Sequence, residues 1–127
     1  MPGTSKEGKE MRHLINLTNI IVKVRHWEGS SKYKPRDFST WKEYWESKSG
    51  DKFPRETMKC ACCKGDTKPA KFVGAHVIDN HDMIYIYPLC KTCNDKYGEG
   101  KLKSPEFDVK MKKCVPFLIE EAIRVKD

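Results

Sequence analysis

No run of apolar residues in this 127-residue chain reaches the roughly 18 needed to cross a bilayer as a helix, so no membrane partner is expected. The first ten residues, Met1 to Glu10, lack the apolar centre of a secretory signal, and the expected location is the cytoplasm. Enzyme motifs are missing as well. The chain has no internal repeat, no Gly-rich loop to cradle a nucleotide phosphate and no Gly-x-Ser-x-Gly nucleophile elbow. A zinc deaminase needs a Glu two residues after its His and a Pro directly before its Cys pair. Here Val77 and Ile78 follow His76, and Leu89 separates Pro88 from Cys90, so that chemistry fails on its essential acid. The segment after Cys93 is too short for the basic recognition helix of a major-groove zinc finger. Apolar content is modest too, at 38% with a mean hydropathy of −0.74. A single domain of this length can fold without disulfides, but a metal staple would offset a small core.

What the chain does have is cysteine in pairs. Six are present, and five fall in Cys60-Ala-Cys62-Cys63 and Cys90-Lys-Thr-Cys93. Thiolates two residues apart turn both sulfurs onto one ion, and two such pairs make a tetrahedral site. The expected ligands of a structural zinc are therefore Cys60, Cys63, Cys90 and Cys93, with Cys62 as an alternative in the first pair. Cys114, alone in an apolar stretch, reads as a small core residue. Paired spacing favours reduced thiolates on a metal over disulfides, hence a reducing compartment. Four thiolates leave no open coordination position, so this zinc builds structure and does no chemistry.

The net charge of +7, from 25 Lys and Arg against 18 Asp and Glu, is uneven. Most of the excess precedes the cysteine segment, where Lys23, Arg25, Lys32, Lys34 and Arg36 form a loose basic group. This suits a polyanion such as DNA or RNA, whose counterions are released on binding. A lysine-rich solvated surface explains the same numbers equally well.

The fold class expected is α+β. Residues 1–11 read as a disordered tail and 12–127 as one domain, divided into an extension (12–57), a zinc-bound core (58–100) and a C-terminal strand with a short helix (101–127). Ile20-Ile-Val-Lys-Val24, within Leu14 to Trp27, has strand character, and Gly29 to Pro35 reads as a loop. Ser39 or Thr40 caps a short helix with Glu43 at the capping-box position, and Phe38, Trp41, Tyr44 and Trp45 recur at helical spacing. Those aromatics read as core, although bases could stack on Trp41 or Trp45. A linker from Ser47 to Pro54 leads to the first cysteine pair. Lys71 to Val77 and Met83 to Tyr87 are two strands joined by the turn Asp79-Asn-His-Asp82. A short helix from Asn94 to Tyr97 ends at Gly98 or Gly100. Phe107 to Met111 reads as a strand, and Phe117 to Ile123 as a short helix.

Cys-x-x-Cys, a strand ending in His, a second strand and Leu-Cys-x-x-Cys-Asn at a helix start resemble the zinc-bound HNH endonuclease superfamily, with its ββα-metal or treble-clef fold. The resemblance covers roughly residues 58–98. It implies that His76 is a general base activating water against a phosphodiester, and that Asn94 is a ligand on the helix for a catalytic Mg or Mn ion. Two other positions depart from the pattern. Ala75 stands where an acidic metal ligand is expected, and Tyr85 where an Asn would orient the histidine. A methyl group cannot bind a hard cation, so an acid would have to come from Asp79, Asp82 or Asp95. A structural histidine at position 76 is the alternative. The reading that follows is a zinc-stabilised HNH-like module that binds nucleic acid, or a partner associated with it, with weak or no catalysis. An active metal-dependent endonuclease is the alternative, and a protein-interaction module the second.

Overall fold

β-Branched and aromatic residues alternating with polar ones build the central sheet of this chain. The computed structural model describes residues 20–125, so the expected tail and the start of the Leu14 to Trp27 run lie outside the described residues. In chain order the strands are β1 (Ile21–His26), β2 (Tyr33–Pro35), β3 (Met58–Lys59), β4 (Asp66–Thr67), β5 (Phe72–Asp79), β6 (Ile84–Cys90), β7 (Phe107–Lys110), β8 (Val115–Pro116) and β9 (Ala122–Arg124). The α-helices are α1 (Trp41–Ser49) and α2 (Lys91–Tyr97). The architecture is a small α+β fold with antiparallel sheets.

The main sheet runs β7-β1-β5-β6-β8. The hairpin β5–β6 is its longest pairing, in register from Phe72↔Cys90 to Ile78↔Ile84. Asp79 closes the turn, its carboxylate accepting from the N–H groups of His81 (2.8 Å) and Met83 (3.0 Å), while Asp82 takes the left-handed conformation (φ 64°). β1 is not peripheral. It sits between β5 and β7, pairing Val24 with Asp79 on one side and Phe107 on the other.

Period two divides the sheet into faces. On one face Ala75, Val77, Tyr85, Tyr87 and Leu89 join Val24, Phe107 and the buried cysteines, and α2 packs there through Cys93 and Tyr97. On the other, Phe72 and Ile86 pack with Tyr44 and Trp45 of α1 and with Phe53. Helix α1 starts where the capping signal indicates, with the Thr40 hydroxyl accepting from Glu43 N–H at 3.1 Å. It extends to Ser49, past the expected linker boundary, and Gly50 (φ 72°) ends it in the left-handed conformation. Trp45 is core, its indole N–H donating to Lys113 O at 2.8 Å.

Two expectations need correction. Gly29 to Pro35 is not all loop: Tyr33–Pro35 is strand β2, paired with β9. Phe117 to Ile123 is not a helix but a 3₁₀ turn, Ile119–Glu121, leading into β9. Pro116 lacks an N–H, and the Arg36 side chain and N–H draw the carbonyls of Glu120 and Glu121 across the chain, so pairing with β2 outweighs helix propensity.

Candidate metal centre

Four cysteines reach one point from two directions. The β3–β4 ribbon carries the first pair at its tip, where Cys60 N–H bonds to Gly65 O (3.0 Å) and Lys64 N–H to Cys60 O (2.8 Å). Lys64 turns the chain with φ 65°, and Gly65 N–H points at Cys63 Sγ (3.4 Å). The second pair comes from the junction of β6 and α2. Cys90 ends the strand and caps the helix, its Sγ accepting from Cys93 N–H at 3.4 Å, while Cys90 N–H reaches Cys60 Sγ at 3.5 Å. α2 thus begins at Lys91, a turn earlier than expected, because the cysteine itself supplies the cap.

The sulfurs of Cys60, Cys63, Cys90 and Cys93 all lie within 4.8 Å of one another, and Cys63 and Cys90 are 3.9 Å apart. A tetrahedron of sulfurs about 2.3 Å from a zinc has edges of about 3.8 Å, so the donor set fits such an ion. Chemistry agrees with geometry. Burial pushes the Cys90 and Cys93 thiols up, and only the Gly65 N–H and neighbouring thiols hold Cys63 below its ordinary value. Packed thiols resist ionising together, and a divalent cation reverses that penalty. Among the described residues this is the one group of three or more metal-ligating side chains. Cys62 lies outside the set, and burial pushes its thiol up to about 11. Cys114 is a partly buried thiol donating to Lys110 O, pushed up to about 12 by burial.

His76 and Asn94 are not brought together. In β5 His76 shares a face with Phe72 and Gly74, the α1 face, whereas Asn94 belongs to α2 on the cysteine face. The imidazole is 2% exposed and lies within an aromatic shell: Trp41 at 4.7 Å edge-on, Phe117 at 5.0 Å and Trp27 at 5.6 Å between ring centroids. Burial lowers its pKa to about 3, and its Nε2 has no hydrogen-bond partner. That environment favours the neutral ring. Ala75 and Tyr85 lie on the opposite, cysteine-bearing face. The three aspartates do not supply the missing acid to His76. Asp79 is bound by its turn N–H groups and by the Tyr85 hydroxyl at 3.3 Å; burial opposes its charge, but those bonds outweigh it and hold the carboxyl low. Asp82 is exposed in the turn, and Asp95 pairs with Lys91 at 2.7 Å.

One buried polar residue escaped the sequence reading. His26 occupies the inward position after Val22 and Val24, a period-two signal that could have flagged it. Its ring lies 5.3 Å from Tyr97 and 5.5 Å from Phe107, burial lowers its pKa to about 4, and neither ring nitrogen has a partner.

Beside the cysteines a cleft of about 600 Å³ is lined by Cys63, Lys68, Lys71, Lys91, Asp66 and Asp95 among others. Lys68 and Lys71 are held at either end of the Pro69–Lys71 turn, Lys71 N–H bonding to Lys68 O at 2.9 Å. Both carboxylates are paired, Asp66 with Lys59 and Asp95 with Lys91 of the same cleft, each at 2.7 Å. No family model, curated protein or solved structure matches this chain.

Proposed function

We propose that this chain is a zinc-stabilised HNH-like module that binds nucleic acid and has lost phosphodiester hydrolysis. The observation that carries the reading is the convergence of four sulfurs from a ribbon tip and a strand–helix junction around the β5–β6 hairpin. That order of ribbon tip, hairpin and helix supports a treble-clef reading. Zinc on Cys60, Cys63, Cys90 and Cys93 would tie the ribbon to the start of α2, closing a loop that the short β3–β4 pairing holds weakly by itself. Burial of His76 behind Trp41 and Phe117, away from α2, supports a structural histidine over a general base.

Charge supports the polyanion. Four thiolates against one divalent ion leave the centre doubly negative, and Lys64, Lys68, Lys71 and Lys91 are close in the chain or the cleft to offset it. Cations remain in excess elsewhere. Among the described residues Arg25, Lys34 and Lys42 form no ion pair, and such charges draw phosphate.

The test is a set of three measurements on the zinc-loaded protein: metal content, binding of labelled DNA and RNA across a salt series, and plasmid and RNA cleavage with magnesium or manganese. Bound zinc, affinity that falls steeply with salt and no metal-dependent cleavage are expected. Salt-insensitive or absent binding refutes the nucleic-acid reading. Cleavage that His76→Ala abolishes without unfolding the protein would establish the nuclease instead.

A further inference from the structure

β1 pairs with β5 only from Val77 onward, so the first half of β5, Phe72 to Ala75, has a strand partner on the β6 side alone. Along that stretch lies a cleft of about 360 Å³, lined by Phe72, Val73 and Gly74 of β5, by Tyr33 and Trp41, and by Lys34 and Lys42. The volume falls within the range of small-molecule sites and admits a nucleobase. The two tryptophans of α1 diverge here: Trp45 is buried in the core, whereas Trp41 is half-buried at the cleft.

Its lining contains no carboxylate, and neither lysine has an ion-pair partner among the described residues. The platform is held in place. The Trp41 indole N–H donates to Tyr33 O at 3.4 Å, and its ring abuts His76 edge-on. Gly74 lets α1 approach β5 closely, since a Cβ there would sit 2.7 Å from the Trp41 carbonyl carbon. Little ordering remains to be done on binding.

Tyr33 is itself stacked on Trp27 (5.9 Å), which leaves half-buried Trp41, beside two lysines without an ion pair, of which Lys42 rests over the Phe53 ring (5.5 Å). That setting matches one ligand chemistry well: an unpaired base that stacks while its phosphates meet the ammonium groups. A duplex keeps its bases inside the helix, so it would use the lysines and leave Trp41 idle. We propose that the cleft beside Trp41 is a binding site for single-stranded nucleic acid, taking an unpaired base against Trp41 and the flanking phosphates on Lys34 and Lys42. This rests on the nucleic-acid reading above and specifies its ligand.

The experiment is fluorescence anisotropy on the full, zinc-loaded chain with labelled oligo-dT, oligo-rU and a mixed-sequence duplex at one salt concentration, and an acidic peptide in parallel. Variants are Lys34→Glu/Lys42→Glu and Trp41→Leu, each checked for zinc content and circular dichroism. The double charge reversal touches only exposed side chains and keeps the test valid where Trp41→Leu fails to fold. Single strands should bind about tenfold more tightly than the duplex and quench tryptophan emission, and each variant should weaken them about tenfold. A preference for dT or rU, with both sensitive to the variants, supports the site. Duplex binding as tight as single-strand binding, or single-strand binding that the charge reversal leaves unchanged, overturns this inference while the nucleic-acid reading stands. Equal affinity for the acidic peptide overturns it too, since the cleft would then select charge alone. Failure of every nucleic acid to bind overturns both.

Discussion

Replacing His76 by Phe separates a structural ring from a catalytic one. The ring is enclosed by Trp27, Trp41 and Phe117, and its Nε2 is buried without a partner. A buried unsatisfied polar atom costs about 1–3 kcal/mol, so Phe, of similar shape, should be neutral or stabilising by about 1 kcal/mol at pH 7. Ala removes the ring contacts and should cost about 3 kcal/mol. Acid makes the contrast sharper. The folded-state pKa is about 3 against an ordinary 6.5. Between those values the unfolded chain binds the extra proton, so stability rises with pH and is lost as pH falls below about 6.5. From pH 6.5 to 5 that loss is about 2 kcal/mol for His76 alone. Urea denaturation of zinc-saturated wild type and His76→Phe at both pH values reads the difference directly. Thiolate protonation and the buried His26 act equally in both proteins and cancel. Parallel pH dependences, or a Phe variant less stable by more than about 2 kcal/mol at pH 7, would refute the structural reading.

Other perturbations test the frame. A chelator should unfold the domain, and in a colorimetric release assay Cys63→Ser and Cys93→Ser should lose zinc while Cys62→Ser keeps it; zinc loss from Cys62→Ser would show the ligand set to be wrong. Gly74→Ala puts a methyl group 2.7 Å from the Trp41 carbonyl carbon and should cost about 1–3 kcal/mol, lowering Tm by several degrees; an unchanged Tm would mean α1 is not held against β5. Thr40→Ala removes the cap of α1 and should cost about 1 kcal/mol in chemical denaturation, whereas Ser39→Ala should cost little.

The resemblance and the geometry part company at His76. A strand residue's face depends on parity, and parity is readable locally, but which helix covers each face is not. Gly74, His76 and Phe72 were bound to share a face whatever the fold. That α1 rather than α2 lies over it follows from Trp41, Tyr44 and Trp45 packing on Phe72 and Ile86, contacts between segments far apart in the chain. The same limit explains β1 and the C-terminus. Ile21–His26 reads as a strand from its β-branched residues, yet its place between β5 and β7 rests on pairing with Phe107–Lys110 far downstream. Ala122–Arg124 becomes a strand only because β2 lies beside it.

By itself the sequence determined the local terms: the two cysteine pairs, the Thr40 cap, the hairpin turn at Asp79 and the alternation of β5 and β6. Each needs only a few neighbouring residues, since caps, turns and paired ligands act over one or two turns of chain. Tertiary structure decided between the expected set and its alternative, bringing Cys60, Cys63, Cys90 and Cys93 together and leaving Cys62 out. It also decided that His76 is a buried neutral ring on the far face from Asn94, and that of two tryptophans one turn apart Trp45 is core and Trp41 borders a cleft. Those outcomes depend on long-range packing, whose free energy comes from surfaces meeting across the fold and leaves no periodic trace in the chain.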